Sequence, residues 1–220
     1  MTSRSSIAGR LRLSAISCLA VSALALSGCS NGDAPPGEPS AGAPSSASPS
    51  ASVTPSASPT PKPTPVYKPA DAQSRAQNVP VPVKPALADK NSKEGLEAFS
   101  KYWFQTLSYA YETGDTALME SMSGPNCRFC NSLRDNINNA WQGKNWIAGG
   151  KIQTPSVRAK FSPGGKSQQA TVQVIQQEIS IYKAAGVLSQ AATKASNTGS
   201  QAVATFDSTG WVIADLGLIR

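Results

Sequence analysis

The chain has 220 residues, with 20 Lys and Arg against 13 Asp and Glu, no histidine, and a formal net charge of +7. The missing imidazole excludes Ser-His-Asp and Cys-His catalysis and every histidine-ligated metal site. The positive charge carries less meaning than its size suggests: without Arg4, Arg10 and Arg12, which precede the first apolar run, 17 basic residues face 13 acidic ones and the balance is +4. Nucleic acid is a poor partner for such a chain, because no basic stripe with interleaved aromatics is present.

From Leu13 to Leu26 the sequence is apolar apart from small hydroxyl residues and Cys18, and it follows arginines with no acidic residue among them. That is the layout of a secretory signal. The run ends in Leu26-Ser27-Gly28-Cys29, which resembles the lipobox of exported bacterial lipoproteins. The resemblance implies that residues 1–28 are removed and that Cys29 becomes the first mature residue, carrying a diacylglyceryl, palmitate-type anchor. The expected address is the extracytoplasmic face of the cell membrane. An ordinary cleaved leader or an uncleaved anchor are the alternatives, although about 14 apolar residues fall short of the roughly 20 that span a bilayer. Two acyl chains hold a protein stably where one is marginal.

Composition then shifts. From Ser30 to about Leu87 the chain is mostly Ser, Pro, Ala and Thr, with 14 of the 17 prolines and one aromatic residue, Tyr67. Such a segment buries too little apolar surface to offset the entropy of ordering it. Residues 29–88 are therefore expected to be a lipidated cysteine followed by a disordered stalk. Its reach lies between about 45 Å as a coil and about 180 Å extended. Ser and Thr beside Pro also permit O-glycosylation, an unmodified spacer being the alternative.

The folded part is expected over residues 89–220, a single domain. Asn91 as cap and Glu94 three positions on resemble a capping box, and Leu96, Phe99, Trp103, Leu107 and Tyr111 share one helical face up to Gly114. A short second helix is expected from Asp115, with Leu118, Met119 and Met122, ending at Gly124-Pro125. A third should run from about Asn126 to Trp141, with Phe129, Leu133, Ile137 and Trp141 inward. After Gly143 the period becomes that of strands: Trp146-Ile147, then Ile152 to Phe161, then a turn at Pro163-Gly164-Gly165. Gln168 to Tyr182 reads as one long strand in which Ala170, Val172 and Val174 share a face while Ile175, Ile179 and Ile181 share the other. That change of phase predicts a bulge or bend near Gln176 and Gln177. Ala184 to Ser200 reads as a loop with at most one helical turn, and a hairpin of Ala202–Phe206 and Trp211–Leu218 closes the chain.

Helices first, then an antiparallel meander with a bent strand, describe an α+β fold with helices on one face of a curved sheet. The segments Pro82-Val83-Lys84-Pro85, Tyr102-Trp103-Phe104, Tyr109 to Asp115, Gly124 to Cys130 and Trp146 to Ile152 resemble a family of actinobacterial lipoproteins that is recorded as a domain of unknown function. The resemblance spans nearly all of the folded part. It implies a roll similar to the nuclear transport factor 2-like (cystatin-like) architecture, and it implies no activity.

Cys127-Arg128-Phe129-Cys130 is the motif closest to chemistry. At a helix start, amide dipoles lower a thiol pKa, and this spacing allows disulfide exchange. Redox dithiols of that kind follow the first strand of a βαβ unit, however, and an exported pair most often forms a structural bridge. Both readings stand: a structural disulfide, or a thiol-disulfide oxidoreductase with an exposed sulfur at Cys127. Zinc lacks a histidine or a second cysteine pair, so no metal or cofactor is expected. Among the carboxylates Glu112, Asp115, Glu120, Asp135, Glu178, Asp207 and Asp215, the pairing of Asp215 or Glu178 with Tyr102 or Tyr109 is the form an acid/base site would take. Asp207 reads more simply as a turn residue and Asp115 as a cap. Tyr102, Trp103, Tyr109 and Tyr111 are candidates to line a pocket, or else to form the core. The expected function is that of a non-enzymatic binding module at the cell envelope, its partner an envelope protein, a wall polymer or a small apolar ligand.

Overall fold

A computed structural model describes residues 65–219, and the segments read above as signal sequence, lipobox with Cys29 and stalk up to residue 64 lie outside the described residues. The described residues form a compact unit with its own hydrophobic core and no buried side-chain polar atom without a partner. Those are the attributes of a domain that folds on its own.

Helix α1, Lys93–Thr113, is the central element. Its predicted stripe holds: Leu96, Phe99 and Trp103 are wholly buried, and Leu107 and Tyr111 nearly so. The cap is Ser92 rather than Asn91, its hydroxyl accepting from the Gly95 amide at 3.0 Å. No capping box forms, because the third helical position is Gly95, where a Cβ would lie 1.9 Å from the Lys90 carbonyl. Gly114 ends the helix in the left-handed region at φ 78°. Helix α2, Ala117–Ser121, buries Met119, and helix α3, Arg128–Ala140, buries Cys130, Ile137 and Ala140.

Seven strands follow: β1 (Trp146–Gly149), β2 (Ile152–Gln153), β3 (Val157–Lys160), β4 (Gln168–Gln176), β5 (Ile179–Tyr182), β6 (Ser196–Asp207) and β7 (Gly210–Ile219). All their pairings are antiparallel: β2 and β3 both lie along β4, which pairs with β6, which pairs with β7, while β1 pairs with β5. Strands β1 to β5 thus form one long hairpin with a short interruption between β2 and β3 on one arm and a break that cuts both arms. The break falls at Gln177 and Glu178, next to the expected bend, and opposite it stand Gly149 and Gly150 at φ 81° and 72°. The Gly150 amide donates to the Glu178 carbonyl at 2.9 Å, and the Gln177 amide donates to the Lys151 carbonyl at 2.9 Å. A Cβ on Gly149 would lie 2.0 Å from that same Glu178 carbonyl oxygen, so the corner admits only glycine.

Two further features depart from the sequence expectation. Strand β6 begins at Ser196, inside the stretch read as loop, because Ser196 to Ser200 pair along β4 from Gln176 to Val172. Ahead of it, one 3-10 turn at Ala184–Gly186 is followed by chain that returns along β5, with the Thr193 amide donating to the Ile179 carbonyl at 2.9 Å. Strand β7 carries a bulge: Val203 pairs with Asp215 and Ala204 with Ile213, which leaves Ala214 as the extra residue. The phase therefore slips, so that Trp211, Ile213 and Leu216 are buried while Asp215 is exposed.

The largest departure is at the N-terminal side. Residues 65–88, assigned by composition to the stalk, lie against the domain. The Trp146 indole donates to the Asp71 carbonyl at 2.8 Å, and Arg75 donates to the carbonyls of Gly143 and Asn145 while its guanidinium sits 5.1 Å from the Trp141 ring centre. Tyr102 donates to the Pro82 carbonyl at 3.4 Å, and Lys84 pairs with Asp89 at 2.5 Å. Proline removes backbone donors, so this strap is held by side chains reaching main-chain carbonyls, a pattern that composition does not reveal.

Gly149→Ala should combine the cost of left-handed backbone, about 1–2 kcal/mol, with that of a clash, about 1–3 kcal/mol. Gly164 also has positive φ, 75°, but a Cβ there meets nothing within 4 Å. Urea unfolding should therefore place Gly149→Ala clearly below Gly164→Ala; equal losses would contradict a corner set by close approach.

Candidate functional site

Between the helices and the sheet lie two chambers that share Tyr111 and Gln176 in their walls. The apolar chamber has a volume of about 280 Å³. Helix α1 contributes Phe104 and Leu107, α3 contributes Phe129 and Leu133, and the sheet supplies Val174 and Leu218. Alternation along β6 brings Ser196, Thr198 and Ser200 into the same wall as a row of hydroxyls. The second chamber, about 540 Å³, is rich in amides: Asn136 and Asn139 from the next turns of α3, with Asn145, Gln176 and Gln190. Ile147, Ile179 and Ile181 of the β1–β5 pair form its apolar floor, so the corner at Gly149–Gly150 determines where this chamber sits.

Neither chamber is lined by an Asp, Glu, Lys or Arg, although these types make up 15% of the chain. At the shared wall the Tyr111 hydroxyl meets the Gln176 side chain. Burial pushes the Tyr111 pKa up, because phenolate would be desolvated there, and the Gln176 contact offsets this only in part.

The predicted pocket aromatics divide. Tyr111 lines both chambers. Tyr102 and Trp103 are core residues, 5% and 0% exposed, the Trp103 indole donating to the Ser123 hydroxyl at 2.9 Å. Tyr109 lines a third hollow, about 300 Å³, on the strap side of α1 with Tyr67, Pro82, Glu112 and Lys151. The acid/base pairs are not assembled at any of these hollows: Asp215 is turned out by the β7 bulge and accepts from the Leu216 amide, and Glu178 is exposed at the corner. Asp207 is the turn residue expected, accepting from the Thr209 amide at 2.7 Å. Sequence reading missed Gln176, Phe129 and Leu133 as site residues, and the hydroxyl row of β6. The phase change at Gln176 was the available signal.

Cys127 caps α3, and its sulfur is bonded to that of Cys130. The two residues are 0% and 1% exposed, so the accessible sulfur required for dithiol exchange is not there. Among the described residues no three His, Cys, Asp or Glu side chains cluster as metal ligands, and no helix is long and apolar enough to cross a membrane.

Residues 65–217 match the family described as "Family of unknown function (DUF6318)", and the chain belongs to that family. Its match begins at the strap, in keeping with the contacts that tie residues 65–88 to the domain. A search of curated proteins finds no match. Among solved structures, the chain is similar to the intermembrane space region of the chloroplast protein ARC6, at 10% identity and TM-score 0.44, over 59% of this chain and 97% of that one. It is also similar to an uncharacterized protein with a cystatin-like fold from Caulobacter vibrioides, at 12% identity and TM-score 0.39, over 58% and 91%. A domain of unknown function with a cystatin-like fold from Nostoc punctiforme is similar at 13% identity and TM-score 0.37, over 59% and 79%. At such values the α+β description rests on this chain's own helices and antiparallel sheet.

On the strap side, the Tyr67 hydroxyl donates to Glu112 at 2.5 Å, and the Lys151 ammonium lies 5.3 Å from the Tyr67 ring centre. Desolvation, then the Glu112 hydrogen bond and charge, push the Tyr67 pKa from 10.0 up to about 12. A folded-state pKa raised above the unfolded one means that this contact stabilises fully below pH 10 and is lost as pH rises through about 12. Tyrosinate absorbance should show late-titrating tyrosines, Tyr67 and the buried Tyr111, of which only the Tyr67 component moves back toward 10 in Glu112→Gln, though not fully because desolvation persists. An unchanged titration would contradict the contact.

Proposed function

We propose that this protein is a lipid-anchored, extracytoplasmic binding module that is not an enzyme and that holds a small apolar ligand in the space between α1, α3 and the sheet. The observation that carries the reading is the apolar chamber itself, walled by Leu107, Phe129, Leu133 and Val174 in a domain with no histidine. Specific small-molecule sites are mostly apolar and concave with a few convergent polar groups, and hydrogen-bonding groups at Tyr111, Gln176 and the β6 hydroxyls fit that description. The buried Cys127–Cys130 bond favours a structural role that fixes the start of α3, where Phe129 enters the chamber wall. The lipobox-like Leu26-Ser27-Gly28-Cys29 and the Pro/Ser-rich residues after it support the anchor, the stalk and the membrane address. A signal sequence over residues 1–28 and palmitate-type acylation at Cys29 belong to the same reading.

Two measurements test it. Cys29→Ala should move the protein from the membrane fraction to the soluble envelope fraction; continued membrane recovery would remove the anchor. For the cavity, the chain from Ser30 onward, which retains all described residues, is titrated with the neutral fluorophore N-phenyl-1-naphthylamine. Leu133→Trp fills the apolar chamber and should weaken binding at least about tenfold, with circular dichroism and the urea midpoint reporting whether the variant folds. Equal binding by this folded variant would place the fluorophore elsewhere.

A further inference from the structure

We infer that the ligand is an uncharged amphiphile, its aliphatic body beside Phe129 and Leu133 and its hydroxyl- or amide-bearing end at the Tyr111–Gln176 wall. This rests on the binding reading above and adds the ligand's chemical class. The argument begins with what is missing from the walls: no ionisable side chain other than the Tyr111 phenol lines either chamber. A carboxylate or ammonium drawn into the apolar chamber would lose its hydration and find no counter-charge, an expense that proteins avoid by pairing such groups.

What the walls offer instead is neutral and two-sided. Gln176 carries both an acceptor and donors, the hydroxyls of Ser196, Thr198 and Ser200 each donate and accept, and the amide chamber beyond repeats the same chemistry. Gln176 is the last residue of β4, and the chain leaves the sheet at the next position; Ser196 is its Cα partner on β6. The hairpin corner therefore places an amide where the apolar wall ends. Tyr111 stands at the same place, its burial holding the phenol neutral. A hydroxyl or carboxamide arriving there meets a donor and an acceptor at once, whereas an ion meets dipoles with no net charge to oppose its own.

The test is a chain-matched series, 1-octanol, octanamide, octanoate and octylammonium, each displacing N-phenyl-1-naphthylamine from the chain beginning at Ser30 at neutral pH and below micelle-forming concentrations. Both neutral compounds should displace the fluorophore at concentrations at least tenfold lower than either ion. Gln176→Met, which keeps the length and removes the amide, should erode the preference of octanamide over octanoate, read as the ratio of their displacing concentrations within the variant so that a change in fluorophore affinity cancels. If the fluorophore binds but either ion competes within tenfold of 1-octanol, the neutral-ligand inference is overturned and the cavity reading stands. A preference that Gln176→Met leaves intact overturns the assignment of the polar end to this wall. If neither fluorophore nor 1-octanol binds, the cavity reading falls and this inference falls with it.

Discussion

One close approach, that of Gly149 to the Glu178 carbonyl, sets the shape from which the rest follows. An extended hairpin of this length twists but keeps a single inward face unless something breaks its phase. Here two glycines of positive φ stand opposite a two-residue break, so the hairpin changes direction and its inward phase changes with it. Val174 faces the apolar chamber before the corner, and Ile179 and Ile181 face the amide chamber after it. Tyr111 lies beside the corner, since a Cβ on Gly150 would come 3.4 Å from its side chain.

The second constraint is the balance of side-chain size across the core. Helix α1 presents Phe99, Trp103 and Phe104, while the facing strands present Ala170, Ala202 and Ala204. Large residues on the helix against small ones on the sheet let the layers close firmly at one end, where Phe99, Phe161 and Phe206 surround Trp211. Toward Tyr111 the sheet residues become Ser200, Thr198 and Ser196, the packing opens, and the chambers begin. The strap closes the other side of α1 through Tyr67 and Glu112, and it ties the α3–β1 loop through Arg75. That loop carries Asn145, a wall residue of the amide chamber, so the strap helps set the chamber's rim.

Much of this was legible in the sequence because it depends on periodicity. The α1 stripe, the α3 stripe, the phase change in the long strand and the terminal hairpin all appear as spacings of apolar residues. What escaped reading depends on pairing instead. Ser196 to Ser200 carry no apolar alternation and are a strand because they pair along β4, with β7 joining on the other side only from Gly199. The strap looked like stalk because its prolines and polar residues cannot bury a face of their own; it is ordered by domain side chains that donate to its carbonyls and by its own Arg75 and Tyr67, which donate to the domain. Asp215 drew attention as a carboxylate in a strand, and a one-residue bulge, invisible in composition, turns it out to solvent. Tyr111 was found within the helical stripe, whereas Gln176 was passed over as a bend residue although the bend is what makes it a wall.

The measurement that tests the account most directly is a side-chain amide and aromatic NMR spectrum of the chain from Ser30 onward, recorded as 1-octanol is added. The Gln176 amide and the Tyr111 and Phe129 rings should shift along one common saturation curve. Shifts confined to Tyr67 and Tyr109 beneath the strap, or no saturable shifts at all, would contradict a ligand held between the helices and the bent sheet.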